Sequence, residues 1–234
     1  MKFLIMLRYI ISFFILIFNN YIFSQEEILV ADSLKIKQKY GIRIGIDLSK
    51  QIRMITEDYS GIALYGDIRI KERLFIVTEL GNDSKSINND NLNSKFSGNY
   101  LKAGINYNFY NNIPPLENEI YFGFRLATNK FKSELYDYLV YDFDKYWDEG
   151  RITDYQEFDN LSANWIEIVL GFNAKVSNNF FMGISLRLNR IVSQKSPSNF
   201  GNLYMPGFNQ VTENNNFGTG LTYNLIYRIP LIKK

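Results

Sequence analysis

Asn164-Trp165-Ile166-Glu167-Ile168-Val169-Leu170-Gly171-Phe172-Asn173-Ala174-Lys175-Val176 is apolar from Ile166 onward on one of its two phases. Ile166, Ile168, Leu170, Phe172, Ala174 and Val176 make up that phase, and Glu167, Gly171, Asn173 and Lys175 fall on the other. A period of two with unlike faces belongs to a β-strand set between two different surroundings. Ser177-Asn178-Asn179 turns the chain, and the pattern restarts. Phe180, Met182, Ile184, Leu186 and Leu188 now oppose Gly183, Ser185, Arg187 and Asn189. The result is a long hairpin, apolar on one face and small, amide-bearing or charged on the other.

The rest of the chain repeats this unit. Ile42, Ile44, Ile46 and Leu48 oppose Gly41, Arg43, Gly45 and Asp47, in a first strand that starts at Tyr40 or as early as Leu34. The same alternation predicts strands over 59–70, 74–81, 97–110 and 119–129, and a last one through Leu221, Tyr223, Leu225, Tyr227 and Ile229. Residues 49–58, 82–96, 130–162 and 192–216 read as loops, and Pro114-Pro115 bars a central strand from 111–118. About eight strands result. Connections after strands two, four and six are short, and those after one, three, five and seven are longer and polar. That alternation predicts an all-β, antiparallel up-and-down transmembrane β-barrel over residues 40–234, with short periplasmic turns and long external loops.

The N-terminus fits an exported protein. Lys2 and Arg8 precede an apolar run from Tyr9 to Phe18, and Ser24 is a small residue before Gln25. Residues 1–24 therefore read as a cleaved signal peptide, and 25–39 as a linker or the start of the first strand. Loss of Lys2 and Arg8 takes the formal charge from +2 to about zero. A neutral mature chain offers no argument for nucleic-acid binding. The 234 residues include no Cys and no His. Disulfides, histidine metal sites and Ser-His or Cys-His nucleophiles are thereby excluded. No catalytic residue, metal site or cofactor is expected.

Two barrels fit alternating strands. A secreted lipocalin-like barrel turns its apolar phase inward around a ligand, whereas a membrane barrel turns it outward to lipid. Gly45, Gly104, Gly123, Gly171, Gly183 and Gly220 all fall on the polar phase near mid-strand. An eight-stranded interior is barely wide enough for side chains. Glycines there make room for a charge network of Arg43, Asp47, Asp67, Arg69, Glu79, Lys102, Arg125, Glu167, Lys175, Arg187 and Arg228. Tyr40, Phe109, Phe122, Phe180 and Tyr227 gather on the apolar phase at the short-turn end, as an interfacial girdle would. The membrane barrel is the favoured reading.

Tyr40-Gly41-Ile42-Arg43-Ile44-Gly45-Ile46-Asp47-Leu48-Ser49-Lys50 resembles the first strand of an uncharacterised outer-membrane barrel family of the Bacteroidota. Glu79-Leu80-Gly81, Tyr204-Met205-Pro206-Gly207-Phe208 and Tyr227-Arg228-Ile229-Pro230-Leu231 resemble it too. The resemblance implies a fold and an outer-membrane location, but no activity. The tail departs from many such barrels by ending Leu231-Ile232-Lys233-Lys234 rather than on an aromatic residue.

Two loops are candidate binding elements. Residues 133–160 are strongly acidic and aromatic, with Tyr141, Asp142, Asp144, Trp147 and Asp148 at their centre. Such a loop suits sugar, protein or calcium contact, or it simply keeps an external surface solvated. Tyr204 and Phe208 lie in a glycine- and proline-containing segment that reads as a recognition loop or as a lid over the barrel mouth. The expected function is a non-enzymatic surface-binding or envelope-structural barrel, with outer-membrane lipid and an extracellular ligand or surface protein as partners. A small channel is the alternative.

Overall fold

A computed structural model describes residues 40–111, 117–139, 150–197, 201–211 and 216–232. Residues 1–39, read above as leader and linker, and 140–149 of the acidic loop lie outside the described residues. Eight strands carry the fold: β1 (Tyr40–Asp47), β2 (Tyr59–Lys71), β3 (Leu74–Asn89), β4 (Leu92–Asn108), β5 (Glu119–Leu139), β6 (Gln156–Lys175), β7 (Phe180–Lys195) and β8 (Phe217–Ile232). Each pairs antiparallel with its neighbours in sequence, and β1 pairs with β8 to close the ring. A short strand, Arg151–Ile152, adds to the end of β5.

Burial fixes which face is inside. Ile62, Ile105, Phe124, Leu170 and Ile184 are 40–54% exposed on the outer wall, while Arg125 and Glu167 are 1% and 0% exposed within. A wall that shows hydrocarbon outward and encloses ions is stable only in lipid. The fold is a transmembrane β-barrel, and the lipocalin-like orientation is excluded. The outer belt has visible limits. Phe180 and Tyr227 pack 4.9 Å apart at the turn end, where Phe109 and Phe122 are also exposed. At the opposite, far end the outward positions become Asn82, Asn99, Lys130, Asn164 and Arg190. Cysteine labels at Ile62, Ile105, Phe124, Leu170, Ile184 and Leu225, introduced into this cysteine-free chain, should be strongly quenched by brominated acyl chains. Labels beyond the belt, at Ser60 and Glu157, should not. Equal quenching at both sets would contradict this placement.

The far end differs from the sequence reading. Residues 49–58 are not a plain loop: Leu48–Thr56 forms helix α1, capped by Asp47, whose carboxylate accepts from the Ser49 amide at 3.0 Å. Residues 82–96 are not a loop either. β3 and β4 continue to a turn at Asp90 and Asn91, with every residue pair in register from Asn82↔Asn99 to Asn89↔Leu92. β5 likewise runs ten residues past its expected end at Asn129. Outside the bilayer the outward face meets water while inward positions such as Asp83, Phe131 and Leu135 stay buried, so the apolar-outward alternation is lost while the hydrogen-bonded ladder persists. The far end is thus long because strands extend there, as well as loops.

Inside, the charged groups stack in layers. Nearest the turn end, Arg43 grips Asp67 with two nitrogens at 2.7 and 2.8 Å and reaches Glu119 at 2.7 Å. Arg69 lies 3.7 Å from Glu119, and Asn173 donates to its other oxygen. Glu117 takes Lys175 and Arg228, each at 2.8 Å. At mid-height Arg187 pairs with Glu79 at 2.7 Å and with Glu167 at 3.4 Å. Lys102 meets Glu167 at 2.7 Å, and Arg125 donates to Asn106 and the Ile105 carbonyl. The inward glycines serve this filling unevenly. Gly123 leaves space for Asn106 and Arg125, but a methyl group at Gly171 would overlap the Tyr121 ring. They accommodate tyrosines and amides as much as arginines.

Candidate functional site: the barrel mouth

The site is built on a turn. Met205-Pro206-Gly207-Phe208 closes with the Phe208 amide on the Met205 carbonyl at 3.1 Å, and Gly207 has φ +80°. Proline second and a left-handed glycine third is the signature of a type II turn. Tyr204–Met205 and Asn209–Gln210 pair as its two short strands. This hairpin descends into the barrel mouth, where Tyr204 is 3% and Phe208 0% exposed.

Inward side chains from four strands receive its main chain. The Gly207 amide donates to Asp83 on β3 at 2.9 Å, and the Gly207 carbonyl accepts from Lys102 on β4 at 2.9 Å. Asn129 on β5 donates to the Pro206 carbonyl at 2.9 Å, and Asn189 on β7 to the Phe208 carbonyl at 3.5 Å. The Phe208 ring meets Trp165 edge-on at 5.9 Å, and Trp165 hands its indole proton to Glu167. A backbone lowered into a dry interior needs such partners, since each unmet group costs about 1–3 kcal/mol.

Asp83 joins hairpin, helix and wall. It is fully buried and accepts from Lys50 of α1 at 2.9 Å, from the hydroxyls of Tyr59 and Tyr204, and from Gly207. Burial pushes the Lys50 ammonium below its usual range, although Asp83 opposes the shift. Burial likewise raises the Tyr204 phenol, so that hydroxyl acts as a donor. Arg53, one turn along α1, donates to Asn209 at 2.9 Å and stacks over Tyr59. The outward face of the helix is apolar: Ile52 and Ile55 are both exposed. Like the strands, α1 is polar toward the lumen and greasy outside. Between α1, the hairpin and β8 lies a cavity of about 1070 Å³, with Lys102, Arg187 and Asn189 in its lining.

This chain belongs to the family described as Domain of unknown function (DUF6048), whose profile matches residues 6–234. No curated protein matches it. Among solved structures it is similar to Ail, the attachment invasion locus protein of Yersinia pestis. That pair shares 8% identity over 82% of this chain and 98% of the other, with a TM-score of 0.42. Neisserial surface protein A is similar at 12% identity, over 82% of this chain and 96% of that one, also with a TM-score of 0.42.

Of the candidate residues, Tyr141, Asp142, Asp144, Trp147 and Asp148 lie outside the described residues. Tyr204 lines the cavity, while Phe208 is wholly internal. Asp47 caps the helix and also accepts from the Tyr223 amide, and the other ten lumen residues all reach opposite charge. Sequence reasoning missed Asp83, Lys50, Glu117, Glu119 and Trp165. Asp83 was within reach, because Glu79, Gly81 and Asp83 share the inward phase.

Proposed function

We propose that the protein is a non-enzymatic outer-membrane barrel, exported by a signal peptide cleaved after Ser24, that binds an extracellular ligand or surface partner through its far end. The observation that carries this reading is the far end itself. β3, β4, β5 and β6 rise well past the apolar belt, and rigid hairpins held above a membrane are suited to contact. Leu139 and Gly150, which flank the acidic, aromatic residues 140–149 in the sequence, lie at that end. Tyr141 and Trp147 supply contact area, and Asp142, Asp144 and Asp148 supply charge. The layered ion pairs favour a filled barrel over a channel, because they occupy the bore at two heights.

External protease on intact cells tests this. Cleavage is expected within 140–149, with the β-strands protected. Replacing that segment by a short glycine-serine linker should leave insertion intact, since β5 and β6 pair directly below it. The same replacement should remove binding to envelope glycans or surface proteins. Protection of the segment in intact cells would place it in the periplasm and defeat the proposal.

A further inference from the structure

We propose that the upper edge of β8 is a docking site for an extended segment of a partner protein, which joins the barrel as a short extra strand. The site is the wall itself, so the proposal goes beyond the loop contact above and holds whichever side of the membrane the far end faces. Its first support is a break in the wall. The β1–β8 ladder ends at Asp47↔Asn224 and the β1–β2 ladder at Ile46↔Leu64. Above that level, among the described residues, residues 218–222 of β8 have strand partners only in β7, and residues 60–63 of β2 only in β3. α1 contacts both β2 and β8 and stands where β1 would have continued. A helix satisfies its own backbone and adds no ladder to either neighbour.

The second support is the direction of the main chain. Successive residues of an antiparallel strand turn their N–H and C=O groups to opposite sides. The Leu225 and Ile229 carbonyls lie against Gly45 and Gly41 of β1, and the Tyr223 amide donates the same way, to the Asp47 carboxylate at 3.3 Å. Odd-numbered residues of β8 therefore face β1 below, and Leu221 and Thr219 face the gap above it. The bonds from α1 to wall and hairpin run through side chains, with Lys50 on Asp83 and Arg53 on Asn209. Among the described residues, no hydrogen bond reaches the Thr219 or Leu221 main chain from that side. The third support is space. The cavity of about 1070 Å³ is lined by every residue from Phe217 to Tyr223. Contact with both phases of one strand in succession places it along the edge of that strand. Ser49, Lys50, Ile52 and Arg53 of α1 line the cavity as well, so it separates helix from edge.

The edge itself indicates the occupant. Donors and acceptors repeating at the spacing of a strand are matched by another extended main chain. Such a chain would lengthen the ladder that β1 already makes with β8, so it continues an interface present in the fold. The neighbours on either side of the edge set its side chains. Outward lie Leu221 and Ile52, 58% and 57% exposed, and inward lie the small Gly220 and Thr222. The segment that fits is apolar on its outward phase and small or hydroxyl-bearing on the other.

The protein, reconstituted in phosphatidylcholine nanodiscs, is titrated with a synthetic peptide of alternating valine and threonine. A length of about seven residues spans the edge at about 3.3 Å per residue. Amide exchange is read residue by residue by NMR. Without peptide, the Thr219 and Leu221 amides should exchange fast and those of Gly220 and Thr222, which face β7, slowly. At about ten times its dissociation constant the peptide should slow Thr219 and Leu221 about tenfold and leave Gly220 unchanged. Thr219→Pro removes one donor at an edge position, where a strand tolerates proline. It should weaken the peptide about tenfold, equivalent to about 1.4 kcal/mol. If that variant fails to fold, Gly220→Trp makes the same test by filling the gap, since a methyl group at Gly220 would only touch Arg187 at 3.7 Å. Slow exchange at Thr219 and Leu221 without peptide would show the edge already satisfied and overturn the proposal. So would peptide binding that the substitution leaves unchanged. Protection that grows with protein concentration alone would put a second copy on the edge and overturn the reading of a different partner.

Discussion

Asp83→Ala is expected to release the inner hairpin from the barrel mouth and to destabilise the far end by about 3–5 kcal/mol, the usual cost of stranding one partner of a buried ion pair. Four donors from helix, wall and hairpin converge on this one carboxylate, and it is wholly buried. Its removal leaves the Lys50 ammonium inside without a counter-ion. Hydrogen exchange at the Gly207 amide should accelerate strongly, and protease should reach residues 201–211, while the belt remains protected. The double variant Asp83→Ala, Lys50→Met should regain part of the loss, because no unpaired charge then remains inside. Full native protection in the single variant would show that the hairpin is held by its aromatic contacts instead.

Glu167→Gln should be comparably damaging, again by about 3–5 kcal/mol, but its effect should fall on the whole barrel. Glu167 receives Lys102 at 2.7 Å, the Trp165 indole at 2.7 Å and Arg187 at 3.4 Å, all within the lumen. Glutamine keeps one acceptor and loses the charge, so Lys102 is left against a neutral amide. Reversible urea unfolding in phospholipid vesicles measures the difference. Glu157→Gln is the control: its exposed carboxylate meets Lys132 at 3.2 Å and accepts from the Tyr155 hydroxyl at 3.3 Å, and the change should cost no more than about 1 kcal/mol. Equal losses in the two variants would mean that the interior behaves electrostatically like the surface.

What could be read from the residues follows the solvents around them. Ile166 to Val176 announce a strand because lipid and lumen demand different side chains on alternate residues. Asn82 to Lys95 carry no such contrast, since the outward face meets water and the inward positions, among them the buried Asp83 and Ser94, are largely polar too. α1 did have a signal, in the capping Asp47 and the spacing of Leu48, Ile52 and Ile55. It was masked because Leu48 also continues the strand phase of Ile42, Ile44 and Ile46. The segment around Pro206-Gly207 reads from its residues as a recognition loop or as a lid over the mouth. Its anchors were not legible, because the groups that receive it come from four strands distant in sequence.

The shortness of β1 also bears on how the ring closes as the chain folds. The β1–β8 pairing joins the two ends of the barrel sequence, Tyr40 to Ile232, and is the contact of greatest sequence separation. Such contacts form late, after the entropy of closing a long loop has been lost. A full-length β1 would add more of them to the slowest step. With α1 in its place, only the lower seam needs distant residues to find each other. The upper part is completed by a helix that coils from its own neighbours, starting at the Asp47 cap once β1 has docked. The barrel thereby trades a non-local zipper for a local one where the two ends meet.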